Sequence, residues 1–200
     1  MPTTIVEGSL QFEFPEGWKA SKFDEWSFYR NQFARVGDAE MRCNREGCGG
    51  IVECASCGRK RVAGTKGVDI LALSPDSACW LIEIKDYRST RETDFAFLAD
   101  TVALKVRDTL ACLAAARWNA NDEAERKQAT AALAAPRSRI VLHLEVPAGG
   151  RALFASSTRR ANVLNRLKQL VKSVDPHPLV VSRSDNRRVP WTVSSLGSRR

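Results

Sequence analysis

Two apolar stretches constrain this chain most: Gly67-Val68-Asp69-Ile70-Leu71-Ala72-Leu73 and Trp80-Leu81-Ile82-Glu83-Ile84-Lys85. Each reads as a strand. Ser74-Pro75-Asp76-Ser77 between them is a turn signal, because Pro pre-sets its backbone angle. A hairpin closing about Asp76 places Asp69 opposite Glu83, since both are equidistant from residue 76. Opposed side chains on one face lie ~5 Å apart at Cβ, where like charges destabilise a sheet. The residues around this acidic pair are apolar on both faces, as in a strand covered on both sides. A charged pair in such a setting needs compensation, and a divalent cation held by the two carboxylates is one source of it. Lys85, two residues beyond Glu83, shares its face by the period-2 geometry of strands. The plainer alternative is a solvated hairpin face that carries Asp, Glu and Lys.

The spacing of the remaining apolar residues predicts the surrounding elements. Leu10–Phe14 alternates as a short strand. A helix is expected from a Ser21 cap to about Val36, with Trp26, Tyr29 and Phe33 on one face. A long helix covers roughly Asp94 to Asn119, and a second runs from about Asp122 to Ala134 before Pro136. Ile140–Val146 reads as a strand, Thr158–Val174 as a helix capped by Thr158, and Leu179–Val181 and Trp191–Val193 as weaker strands. The order implies an α/β fold with a mixed central β-sheet flanked by helices. One domain over residues 1–193 is expected, with residues 38–66 a Cys-rich insertion and 194–200 a basic tail.

Asp69, followed after thirteen residues by Glu83-Ile84-Lys85, resembles the core motif of the PD-(D/E)XK nuclease superfamily. The resemblance covers about residues 20–145 as architecture and three to five residues as identities; Val68 stands where the family name implies Pro. It implies a restriction-endonuclease-like fold and a metal-dependent endonuclease acting on DNA, in a bacterial restriction or antiviral defence system. Asp69 and Glu83, with the backbone carbonyl of Ile84, would hold Mg²⁺ (or Mn²⁺), and Lys85 would orient the attacking water. The family also implies an acid from the first helix. Glu25 matches best, with Asp24 and Glu40 behind it; a plain solvated Glu25 is the competing reading. An RNA substrate stays open. So does a catalytically idle nuclease-like scaffold that binds nucleic acid or a protein partner.

Cys43, Cys48, Cys54 and Cys57 fall within fifteen residues, amid glycines at 47, 49, 50 and 58. Four thiolates so spaced match a closed structural Zn²⁺ site. A redox Cys-x-x-Cys or four unrelated thiols are the alternatives. Cys79 and Cys112 read as buried thiols.

Charge is unevenly placed. Residues 151–200 hold eleven Lys/Arg against two Asp, whereas the other 150 hold 20 Lys/Arg against 21 Asp/Glu. The basic quarter reads as a footprint for a phosphate backbone, or as a solvated helix face with a charged tail. Lys105, Arg107, Arg88 and Arg91 are further candidates to meet a phosphate; for each, an exposed helix or loop charge is the plainer reading. His143 reads as a core or edge histidine. No stretch suits a membrane span and no export signal leads the chain, so a cytoplasmic protein is expected, without membrane contact. A homodimer or association with another subunit is allowed.

Overall fold

The computed structural model describes residues 1–35, 64–89, 95, 97–147 and 150–196, with side chains from 158 onward in the last stretch. The Cys-rich expectation, including Cys43, Cys48, Cys54, Cys57 and Glu40, lies outside the described residues, as does Arg91.

The fold is mixed α/β. A five-stranded sheet has the order β3 (Lys19–Lys22), β4 (Ile70–Leu73), β5 (Ala78–Asp86), β6 (Arg137–Glu145), β7 (Leu179–Val181). β3, β4 and β5 are antiparallel neighbours, while β5–β6 and β6–β7 are parallel. The hairpin pairs Ile70 with Ile82 and Leu71 with Leu81, the register expected of closure about residue 76. Ser77 completes its turn with φ at 61°. Parallel pairing needs crossovers. The first is made by α2 (Leu98–Asn119) and α3 (Glu123–Ala134), the second by α4 (Gly150–Val171).

The two faces of this sheet bury different layers. Leu71, Leu81, Ile140, Leu142 and Leu144 pack on the helices through Val102, Val106, Leu113, Val163 and Leu167. Ile70, Ala72, Ile82, Ile84 and Val141 pack on a second, three-stranded antiparallel sheet. Its order is β1 (Thr3–Glu7), β2 (Leu10–Phe14), β8 (Thr192–Ser195). The expected picture of one sheet flanked by helices is thus corrected on one face. Leu10, Phe12 and Phe14 alternate along β2 and are all fully buried against the central sheet, so a sheet covers that face.

Three local expectations also change. Ser21 lies in β3 and caps no helix. The chain then makes a 3-10 turn at Phe23–Glu25 and a short α1 at Ser27–Asn31, interrupted where Trp26 is extended (ψ 135°). Burial of Phe23, Trp26 and Phe28 in the core dictates this path. α4 begins at Gly150, so Thr158 sits inside the helix. Ser194 and Ser195 belong to β8, and the Leu196 N–H donates to the Ser9 carbonyl at 2.9 Å.

Two long-range contacts fix the approach to β4. Gly67 is required by close packing: a Cβ there would lie 2.7 Å from the Phe23 ring. Glu125, from α3, accepts hydrogen bonds from the N–H groups of Ser27 (2.6 Å) and Phe28 (3.1 Å), and so caps α1 across nearly a hundred residues.

Candidate functional site

Asp69 and Glu83 lie on the helix-facing side of the hairpin. Glu83 is fully buried, and the side chains of Asp69 and Lys105 are 13% and 14% exposed. Asp69 is held in place by the Ile84 N–H, which donates to its Oδ2 at 2.6 Å. This bond is a direct result of the register that sets residue 69 against 83. Lys105 reaches down from α2. Its Nζ lies 3.2 Å from Asp69 Oδ1 and 2.7 and 2.8 Å from the two oxygens of Glu83. Lys85 Nζ lies 2.7 Å from Glu83 Oε1. The charge that the sequence assigned to a divalent cation is here supplied by two ammonium groups. The acidic pair therefore does not demand Mg²⁺ or Mn²⁺ for its charge balance. Among the described residues, no three or more His, Cys, Asp or Glu side chains gather as a metal-ligand set.

Burial, reinforced by the charge of Asp69, pushes the Glu83 carboxyl up to about 7 against the opposing pull of Lys105 and Lys85. Burial works against the ammonium form of Lys105, yet the charges of Glu83 and Asp69 hold its pKa above the ordinary lysine value. A carboxyl balanced near neutrality beside two ammonium groups can accept or release a proton under ordinary conditions. The same arrangement serves structurally, as an ionic bolt between hairpin and helix.

Glu25, the acid expected from the first helix, stands on the surface. Glu25 is exposed and pairs with Lys22 at 2.8 Å; Lys22 also pairs with Glu7 at 2.9 Å. Asp24, next to Glu25, is half-buried. Its carboxyl is raised by burial and by the charge of Asp69, and its Oδ1 is buried without a hydrogen-bond partner. In a 3-10 turn adjacent residues point about 120° apart, so one position decides which acid faces inward.

The other candidates scatter. Arg107 is exposed and donates to Asp108, which in turn accepts from the Lys66 N–H. Arg88 grips Asp86 and bonds to the hydroxyls of Ser9 and Ser195. Cys79 and Cys112 are buried thiols, each pushed up to about 12 by burial.

On the opposite face, His143 is fully buried, its ring edge-on to Phe12 at 5.1 Å. Its Nε2 lies 3.0 Å from Glu145 Oε1, which also accepts from the Arg183 N–H at 2.6 Å. Glu145 thereby ties the end of β6 to the turn after β7, where the N–H groups of Ser182 and Asp185 each donate to the other's carbonyl. That turn and its continuation expose Arg183, Arg187 and Arg188. Sequence reasoning saw the basic quarter but not this anchor, which joins residues 38 positions apart.

No helix among the described residues is long and apolar enough to cross a membrane. No family model and no solved structure matches the chain. The resemblance to PD-(D/E)XK nucleases therefore rests on the Asp69 and Glu83-Ile84-Lys85 motif itself. The chain is similar to a cysteine–tRNA ligase of Neisseria meningitidis (serogroup A / serotype 4A, strain DSM 15465 / Z2491), with 33% identity over 213 aligned positions. The alignment takes in 96% of this chain and 30% of that protein, so the chain spans less than a third of its relative. This match overturns the expectation of a Mg²⁺-dependent DNA endonuclease from a restriction or antiviral system. Nearly the whole chain aligns with a protein named for joining an amino acid to tRNA, not for cutting DNA.

Proposed function

We propose that this chain is an RNA-contacting module that binds tRNA, working as a part of or alongside a tRNA ligase. One observation carries the reading: the similarity to a cysteine–tRNA ligase along 96% of the chain. The charge distribution supports it. Arg159 and Lys168 are exposed on α4, Lys172 is exposed in the turn that follows it, and Arg183, Arg187 and Arg188 are exposed after β7. Cationic side chains on a rigid scaffold bind a phosphate backbone by releasing its counterions, and such binding weakens steeply with salt. In this reading the Asp69–Glu83–Lys85–Lys105 cluster fixes α2 to the sheet. Lys85, its most exposed member at 28%, is the ammonium open to a phosphate.

The test is fluorescence anisotropy with labelled tRNA and with duplex DNA of similar length, across a salt series. We expect tRNA to bind at least about tenfold more tightly than the duplex. The Arg183→Ala/Arg187→Ala/Arg188→Ala variant should lower the slope of log affinity against log salt by about 2–3. Equal binding of duplex DNA, or no binding of tRNA at low salt, would overturn the reading.

Two finer assignments belong to the same proposal. The five-stranded sheet is of the restriction-endonuclease-like type, on the placement of Asp69 beside Glu83-Ile84-Lys85. Cys43, Cys48, Cys54 and Cys57 hold one structural Zn²⁺, on their spacing. Elemental analysis of protein purified without chelator should find one zinc per chain; a zinc-free, fully folded protein removes that assignment.

A further inference from the structure

Five tryptophans divide sharply by environment. Trp18, Trp26 and Trp191 are buried at 9%, 5% and 2% exposure, and Trp80 is half-buried against Trp18 and Trp191. Trp118, in the last turn of α2, is 73% exposed. The Arg117 guanidinium lies over one face of its ring, 4.6 Å from the centroid. A cation on one face draws on the ring quadrupole and holds the indole still, leaving the other face for a flat, electron-rich partner.

The surroundings add positive charge. A shallow depression of about 480 Å³ between the end of α2 and α3 is lined by Arg117, Glu123, Arg126 and Lys127. Arg126 is anchored, donating from Nη1 to the Ala120 carbonyl at 2.6 Å. Lys127 pairs with Glu123 at 2.7 Å on the open surface, where such a pair is weak and readily exchanged for a phosphate. An aromatic face next to cations is the pattern that recognises unpaired bases, with stacking on the ring and phosphates beside it.

We propose that Trp118, braced by Arg117, is a stacking platform for an unpaired RNA base, with Arg126 and Lys127 receiving the adjoining phosphates. This rests on the RNA-contacting reading and deepens it, since it assigns single-stranded segments of the RNA to the α2–α3 corner. The corner lies on different elements from the arginine turn after β7, so the two contacts can be separated.

The experiment titrates the whole protein with a short oligoadenylate and, separately, with tRNA, following tryptophan emission and anisotropy. Oligoadenylate should quench the exposed component of the emission, which belongs to Trp118. Trp118→Ala should bind oligoadenylate about tenfold more weakly and lose the quenching, and Trp118→Phe should recover most of the affinity. The site is exposed, so both variants should fold as the parent does. Unquenched emission on saturation, or equal affinity for Trp118→Ala, overturns the platform. A concentration-dependent blue shift without RNA, marking a second copy seated on Trp118, overturns it too. If tRNA still binds through the arginine turn while Trp118 stays untouched, only this inference falls. If neither RNA binds, the functional reading falls with it.

Discussion

The central sheet carries a buried ionic cluster on each face, and the two are built on different principles. On the helix side, Asp69, Glu83, Lys85 and Lys105 set two carboxylates against two ammonium groups. On the sheet side, the Glu145 carboxylate is satisfied by a backbone N–H from Arg183 and by the His143 ring. The first balances full charges in a dry setting, so the loss of one member exposes the others. The second spreads one charge over hydrogen bonds, which hold its carboxyl below the ordinary glutamate value against the opposing effect of burial. The same sheet thus keeps one carboxyl near neutral titration and the other firmly ionised.

That contrast predicts unequal responses to mutation. The largest belongs to Lys105→Met. At pH 8, where Glu83 is ionised, removing the shared ammonium should cost about 3–5 kcal/mol in urea unfolding. Adding Glu83→Leu should recover more than half of that; no recovery would mean that Lys105 acts by packing and not by charge.

Next comes pH. The Glu83 carboxyl titrates near 7 in the folded chain against an ordinary 4.5. The folded state then holds its proton more tightly than the unfolded one. Its contribution to stability is present in full below pH 4.5 and is lost as pH rises through 7. The loss amounts to roughly 3 kcal/mol at most. Glu83→Gln should flatten this part of the profile, while Glu145→Gln should leave it in place. An unchanged slope in Glu83→Gln would assign the titration to another group.

Glu145→Gln should cost about 1–2 kcal/mol, because the amide oxygen can still accept the Arg183 N–H but the charge assistance is gone. It should also weaken tRNA binding if the arginine turn needs its anchor. The smallest effect is expected for His143→Phe. The Nδ1 of His143 is buried without a partner, and the ring already packs as an aromatic against Phe12. The hydrogen bond between Nε2 and Glu145 is lost, but the Arg183 N–H still serves the same oxygen, so thermal unfolding should shift by about 1 kcal/mol. A much larger loss would make the two clusters alike after all.

Much of the fold was legible in local pattern. The hairpin register, the long helix ending at Asn119, the helix following Asp122, and the strand through Ile140 all follow from periodicity and turn chemistry. What stayed hidden was contact between distant segments. The second sheet unites residues from both ends of the chain, and its strands are too short to announce their partners. The first helix was overestimated because its aromatics recur at helical spacing, while their actual positions come from burial and from the Glu125 cap. The counter-ion for Asp69 and Glu83 was named as one of several exposed cations, since a lysine at helical spacing carries no sign of which way it turns. The functional expectation failed for a related reason: a few residues of a motif describe a local geometry that many proteins can share.

The sequence by itself determined that two carboxylates meet across a hairpin, because a turn centre and a two-residue period leave no other outcome. Only the tertiary structure decided what neutralises them. The placement of α2 over the sheet, an arrangement of segments far apart in the chain, puts the Lys105 ammonium where a free cation was expected.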